Sequence, residues 1–199
     1  MARNSPSEPR LGSPRARLFL ALEPSDEGRT ELAEWRDRLV ADREDLRSPP
    51  AETLHLTLAF LGYRPEKEIP AIARAAFGAV EELAPAVLRP AGVVPLPRRA
   101  PRLFALELED EDGRAAAIQA AASGALEAAR FYRPEKRRWW PHVTLARVRR
   151  GRRAPPLEDA EDRAAIGPLA APTVTLYRST LRPQGALYEP LERTEWRYG

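Results

Sequence analysis

The residues best suited to acid–base chemistry in this chain are its two histidines. Only two occur among 199 residues, and each opens the same short pattern, H-L-T-L beginning at His55 and H-V-T-L beginning at His142. Imidazole is the side chain whose ordinary pKa lets it gain and lose a proton near neutral pH. Two histidines in matching patterns therefore indicate a general acid and a general base that act on one substrate.

Each pattern is typical of a β-strand, in which residues i and i+2 point to the same face. We therefore expect His55 to share a face with Thr57, and His142 to share one with Thr144, while the aliphatic residues between them face the core. A threonine hydroxyl can donate a hydrogen bond to a phosphate oxygen. Two histidines on opposite sides of a phosphorus atom would meet the needs of an in-line displacement.

The residues around His142 are strongly basic, which favours an anionic substrate. Residues 130–153 include ten arginine or lysine residues against one acidic residue, Glu135, although the net charge of the whole chain is only +3. Phosphate is the leading candidate for the anionic group of that substrate. The alternative is that these basic residues form only a solvated arginine-rich surface. Arg147 lies an odd number of residues after His142, so it shares the histidine's face only if the strand contains a bulge or ends there.

Composition excludes several other classes of protein and site. The chain has no cysteine, so disulfides, thiolate chemistry and cysteine-based zinc sites are excluded. Neither histidine has a nearby carboxylate cluster or a second histidine at metal-binding spacing, so we expect no metal and no cofactor. No apolar run has the length of a membrane helix, and the start of the chain lacks a signal sequence. We therefore expect a cytoplasmic protein that does not contact membranes.

The order of predicted elements repeats along the chain. A disordered tail is expected over 1–15, followed by one domain over 16–199 that is divided into two lobes. A strand at 17–23, a helix at 25–40 and the His55 strand are followed by a similar series at 102–108, 113–131 and the His142 strand. Phe19 and Phe104 are 85 positions apart, and the two histidines are 87 apart. This offset indicates an internal duplication of a strand–helix–strand unit.

With both motifs in place, the chain resembles the 2H phosphoesterase superfamily, which is named for two His-x-Thr/Ser-x motifs. Within it, the chain is most similar to the LigT-like RNA 2′,3′-cyclic phosphodiesterases, often called 2′-5′ RNA ligases. The similarity extends from about residue 17 to residue 193. It depends on four segments in order: R-L-F-L-A-L from 17, L-H-L-T-L-A-F-L-G from 54, P-H-V-T-L-A-R-V from 141 and Y-R-S-T-L-R-P-Q-G-A-L-Y from 177.

The resemblance implies a bilobal α+β fold in which two antiparallel sheets line a central cleft, with helices outside and no metal requirement. It implies that His55 protonates the leaving 3′ oxygen and that His142 activates water, which leaves a 2′-phosphate end. Thr57 and Thr144 would hold the phosphate oxygens.

Arginine contacts to the substrate are also implied by the resemblance. Arg147 would contact the phosphate, because it matches the arginine of the family's second motif. Arg17, on the first strand, is a weaker candidate.

Three hypotheses about function remain open from the sequence. The leading one is metal-independent hydrolysis of RNA 2′,3′-cyclic phosphate ends by a monomer, with ligation as a minor activity. The second keeps the chemistry but changes the substrate to another cyclic nucleotide or a 2′-5′ linked oligonucleotide. The third is an RNA-end binding protein without catalysis, against which the two intact histidines argue.

Overall fold

The computed structural model describes residues 13–155, 157, 166–182 and 185–196. Most of the predicted tail, residues 1–12, lies outside this part of the chain, and Arg15 already belongs to the first strand. The α-helices are α1 Asp26–Leu39, α2 Ile69–Gly78 and α3 Arg114–Ala128. The strands are β1 Arg15–Glu23, β2 Leu46–Arg47, β3 Leu56–Pro65, β4 Ala86–Leu96, β5 Leu103–Glu109, β6 His142–Val148, β7 Leu169–Ala171, β8 Thr173–Arg182 and β9 Gly185–Glu195.

The strands form one largely antiparallel sheet, so the predicted α+β class is confirmed. Their order is β7-β4-β5-β6-β3-β1-β8-β9, and the short strand β2 pairs with β6. The prediction of two separate sheets is corrected to one continuous path of strands. The reason is a single residue pair between β3 and β6, Leu56 opposite Val143, which joins the two halves.

The main hydrophobic core contains residues from all three helices and from the sheet. Leu56 and Val143 belong to this core and are fully buried, as are Leu32 of α1, Ile72 of α2 and Ile118 of α3. Burying such side chains contributes roughly 1.5–3 kcal/mol each relative to exposure. The residues on either side of Leu56 and Val143 are half-buried, because side chains alternate along a strand.

The helix ends follow sequence signals. The predicted start of α1 is confirmed, because the Ser25 side chain caps it by accepting a hydrogen bond from the backbone N–H of Gly28 at 3.2 Å. At the start of α3, the carboxylate of Asp110 accepts backbone hydrogen bonds from Ala115 and Ala116. Within the described residues, no helix combines the length and apolarity needed to cross a membrane.

Strand β4 contains prolines although it does not lie at the edge of the sheet. Its prolines favour an edge position, yet it lies between β5 and β7. The prolines are accommodated because β7 pairs only with residues 86–88. Pro90 and Pro95 lie beyond this short contact, so β7 requires no backbone hydrogen bond from them.

Candidate active site

The two histidine motifs meet at the centre of the sheet. Leu56 and Val143, which form the only residue pair between β3 and β6 in the described part of the chain, each directly follow a histidine. In an antiparallel ladder the positions on either side of such a pair face each other crosswise. His55 is therefore expected opposite Thr144, and Thr57 opposite His142. The two motifs form one cluster on the sheet face that lies away from Leu56 and Val143.

Both imidazoles are held in the same way by the backbone. The Nδ1 atom of His55 lies 2.6 Å from the carbonyl oxygen of Thr53, and that of His142 lies 2.8 Å from the carbonyl oxygen of Trp140. A carbonyl oxygen can only accept, so each Nδ1 carries the hydrogen and donates it. The Nε2 atom of each neutral ring is then the one that gains and loses a proton. Each ring is thus fixed in the tautomer that a general base needs.

Local sequence explains the first of these contacts. Pro49 and Pro50 end the extended segment, and a single 3₁₀ turn follows at Ala51–Thr53. The backbone N–H of Thr53 and that of Leu54 close this turn on the carbonyls of Pro50 and Ala51. The turn brings the carbonyl of Thr53 back onto the ring of His55.

The two rings differ in their aromatic surroundings. His55 lies among Phe19, Tyr188 and Tyr177, with ring centroids 5.0, 5.5 and 6.2 Å away. His142 instead stacks on Trp140, with centroids 4.2 Å apart and ring planes 17° apart. Nearly identical motifs therefore have different environments, which the sequence alone did not indicate.

A glutamate supports the aromatic residue on each side. Glu23, which is buried, accepts a hydrogen bond from the Tyr177 hydroxyl at 2.7 Å and also pairs with Arg29. Glu107 accepts a hydrogen bond from the Trp140 indole N–H at 2.6 Å. The two glutamates act on the histidines indirectly, because they orient the aromatic rings that lie against the imidazoles.

Burial lowers the pKa of both histidines, because an imidazolium is less well solvated inside the protein. The hydrogen bond to Thr53 and the charge of Glu23 oppose this effect at His55, whereas the positive charges of His142 and Arg147 add to it. At His142 only the hydrogen bond to Trp140 opposes burial. Both rings are therefore biased towards the neutral form.

These lowered pKa values predict how stability depends on pH. Below the ordinary histidine pKa of about 6.5, the unfolded chain binds more protons than the folded one. The stability that the folded protein gains from keeping these histidines neutral is fully present above about pH 6.5. It is lost as the pH falls towards the lowered pKa of the folded state. We expect the melting temperature of a His55→Gln variant to fall less than that of the wild type between about pH 7.5 and 5.5. Thermal melts followed by circular dichroism measure these melting temperatures. If the melting temperatures of the variant and the wild type fell equally with pH, the prediction would be contradicted.

The threonines of the two motifs are available to a ligand. Thr57 and Thr144 are both half-buried. Neither hydroxyl makes a hydrogen bond to any other described residue. The indole N–H of Trp139 donates to the backbone carbonyl of Thr57 at 2.9 Å, which fixes that strand without using the hydroxyl. Both hydroxyls can therefore donate to a ligand on the histidine face.

A β-bulge in each motif strand changes the alternation of side chains. Across from β1, the register skips Leu58, and across from β5 it skips Leu145. Each bulge leaves two consecutive buried residues, Leu58 with Ala59 and Leu145 with Ala146. The residue that follows each bulge is returned to the face of the histidines.

Arg147 is one of the two residues that the bulges redirect. It lies five residues after His142, and the bulge supplies the condition that the sequence required for it to share the histidine's face. Phe60 holds the equivalent position, five residues after His55, and its side chain is 54% exposed. Sequence reasoning missed Phe60, although the shared offset from each histidine was a signal that could have found it.

A cavity of about 440 Å³ adjoins the histidine cluster. It reaches the cluster through Thr53 and Phe19, both of which contact His55. Its arginines are Arg17, Arg47, Arg147 and Arg182, and its aromatic residues are Phe19, Phe60 and Tyr188. No acidic side chain occurs among the described residues that line it. Such a cavity suits a ligand with both negative charge and flat rings.

Every site residue predicted from the sequence lies in the histidine cluster or its cavity. His55, His142, Thr57 and Thr144 form the cluster, and Arg147 and Arg17 line the cavity. Arg17 also donates a hydrogen bond to the Ser179 hydroxyl at 2.9 Å, which fixes its direction.

Several residues at the site were not predicted. The missed residues that line the cavity are Arg47, Arg182, Phe60 and Tyr188. Those that support the histidine rings are Glu23, Glu107 and Tyr177.

Comparison with known proteins agrees with the motif resemblance. The model of the 2′-5′ RNA ligase superfamily matches residues 22–177. A protein of Thermus thermophilus named RNA 2′,3′-cyclic phosphodiesterase is 31% identical over 186 residues, which cover 89% of this chain and 88% of the relative.

Solved structures agree as well. A crystal structure of a Thermus thermophilus protein has a TM-score of 0.69 and 30% identity, and the match covers 90% of this chain and 97% of that one. Escherichia coli LigT, in a crystal structure with 3′-AMP, has a TM-score of 0.64 and 26% identity, with 92% and 98% covered. Because the family model matches most of the length of this chain, the chain belongs to the 2′-5′ RNA ligase superfamily.

Proposed function

We propose that this protein hydrolyses RNA 2′,3′-cyclic phosphate ends to 2′-phosphates by a two-histidine acid–base mechanism. The observation that carries the proposal is the pairing of Leu56 with Val143, which brings both motifs to one face of the sheet. The name of the Thermus relative and the nucleotide bound by LigT support the choice of substrate.

The reaction needs two proton transfers. His142 takes a proton from water at Nε2 as the water oxygen bonds to phosphorus, and the bond from phosphorus to the 3′ oxygen breaks. His55 gives its proton to that leaving oxygen. The product has a 2′-phosphate and a 3′-hydroxyl, and proton exchange with water restores both rings.

The division of roles follows the family resemblance, and one electrostatic difference between the two rings is consistent with it. A base must start neutral, and burial favours the neutral form of His142. An acid must start protonated; burial lowers the pKa of His55, and the negative charge of Glu23 opposes this lowering, whereas no carboxylate does so at His142. Because both proton transfers are assigned to histidines, the mechanism requires no metal.

The remaining groups bind the substrate. Thr57 and Thr144 donate hydrogen bonds to the non-bridging phosphate oxygens, and Arg147 neutralises the charge that grows there. Arg17 supplies a further positive charge in the cavity. The exposed ring of Phe60 offers a stacking surface for the terminal base, and stacking of this kind tolerates any base.

We also infer that the two halves of the domain are duplicated units that form two lobes. Three matched features support this: the carbonyl contact two residues before each histidine, the bulge three residues after it, and the joining pair one residue after it. Both units order their elements as strand, helix and motif strand.

The proposal is tested with an RNA oligonucleotide that ends in a 2′,3′-cyclic phosphate, in the presence of a chelator. We expect hydrolysis to a 2′-phosphomonoester, identified by chromatography against both isomers. A 2′-5′ linked oligonucleotide, assayed in parallel, tests the alternative substrate, and a variant lacking both histidines controls for contaminating nucleases. Failure to open the cyclic end, or release of a 3′-phosphate, would contradict the proposal.

A further inference from the structure

Two arginines face each other directly across a strand pair at the cavity. Arg47 of β2 pairs with Arg147 of β6, and both side chains line the cavity. Like charges in this arrangement destabilise a sheet. In the described part of the chain, neither guanidinium has an ion pair or hydrogen bond to an acidic side chain. An arrangement of this kind is accounted for when an anion binds there.

The topology sets how far along β6 Arg47 lies from the histidine cluster. Strand β5 pairs along one edge of β6, so β3 and β2 share the other edge, with β3 at Val143 and β2 at Arg147. These two positions are four residues apart, which is roughly 13 Å at about 3.3 Å per residue, less the length that the bulge takes up. Arg147 lies on the strand that carries His142, whereas Arg47 lies one strand further out.

The guanidinium of Arg47 lies close to a glycine. A Cβ atom added at Gly185, the first residue of β9, would lie 2.7 Å from Nη1 of Arg47 and 3.0 Å from its Cζ. Gly185 also has a φ of +133°, which disfavours other residues. The Arg47 guanidinium therefore packs against the backbone of Gly185, where a side chain on that residue would displace it from the cavity.

We propose that Arg47 binds the phosphodiester immediately 5′ of the terminal nucleoside, so that the enzyme prefers oligonucleotides to cyclic mononucleotides. This inference rests on the proposed function, because it takes the cyclic phosphate to lie between the histidines. The other phosphates of such a substrate lie only on its 5′ side. An RNA chain that leaves the histidine cluster through the cavity passes Phe60 and Arg147 before it reaches Arg47.

The experiment compares three substrates with the wild-type protein: a nucleoside 2′,3′-cyclic phosphate, a dinucleotide with a cyclic end, and the same dinucleotide with a neutral methylphosphonate linkage. We expect the charged dinucleotide to have a kcat/KM about 10- to 100-fold above that of the neutral one, which is the usual effect of a hydrogen bond to a charged group. Arg47→Gln should remove most of this difference, and Arg47→Lys should restore part of it.

Control variants separate a binding role from a structural one. Arg74→Gln makes the same charge change on the exposed face of α2 and should leave the preference unchanged. Arg47→Gln should also reduce the slope of log kcat/KM against log salt concentration by about 0.7 for the charged dinucleotide. Gly185→Ala, which displaces the guanidinium without removing its charge, should reduce the preference as well.

The outcomes distinguish this inference from the proposed function. If the wild type hydrolyses the charged and neutral dinucleotides equally well, the role of Arg47 is wrong and the proposed function stands. The role is also wrong if Arg47→Gln retains the full preference. If none of the three cyclic phosphates is opened, the proposed function itself is wrong.

Discussion

Replacing either His55 or His142 by alanine is expected to lower kcat/KM for a cyclic-phosphate RNA by roughly 10²–10⁴-fold. Each ring keeps Nε2 for proton transfer, because its Nδ1 is held by a backbone carbonyl. Alanine cannot transfer a proton, and the chain contains no third histidine that could take over the lost role. Steady-state hydrolysis of a labelled oligonucleotide measures the loss.

The double variant provides the sharper result. Residues that act as one unit have strongly non-additive effects, so the double variant should lose little more activity than the less active single variant. Circular dichroism and melting temperature control for folding, since both rings are partly buried. A single variant that retains wild-type activity would contradict the two-histidine mechanism. Two independent, fully additive losses would show that the histidines do not act in the same step.

Replacing Arg147 by glutamine is expected to lower kcat by about 10²–10³-fold, the usual effect of losing one group that stabilises transition-state charge. The bulge at Leu145 turns this arginine towards the cavity, close enough for its charge to affect His55. Lysine keeps the charge but not the planar pair of donors, so Arg147→Lys should recover only part of the activity.

Arg150 offers a matched control for this prediction. It belongs to the same basic segment and is exposed, and it does not line the cavity. Arg150→Gln should therefore remain close to wild type in kcat. If both glutamine variants behaved alike, the basic segment would act only through its overall charge, and a specific role for Arg147 would be wrong.

The proposed acid–base pair could be selected from sequence because the evidence for it is local. Two histidines opened matching patterns, and alternation along a strand supplied Thr57 and Thr144 as their partners. The family resemblance, confirmed by the family model, added Arg147, which alternation alone would have assigned to the wrong face. The helix that begins after Ser25 was predictable for the same reason, since a cap and an apolar face are properties of adjacent residues.

Two features of the site depended on contacts between residues far apart in the chain. The bulges exist because β3 and β6 must fit the registers of β1 and β5, and they alone redirect Phe60 and Arg147. The pairing of Arg47 with Arg147 joins positions a hundred residues apart, so no local pattern indicates it.

The different environments of the two rings have the same origin. Tyr177 and Tyr188, which lie beside His55, come from the last two strands, whereas the partner of His142, Trp140, is its near neighbour in sequence. The sequence by itself determined which groups are the candidates for the chemistry, because residue type and strand alternation are local properties. Only the tertiary structure decided how the two nearly identical motifs differ, because burial, register and the neighbouring charges arise when distant strands pair.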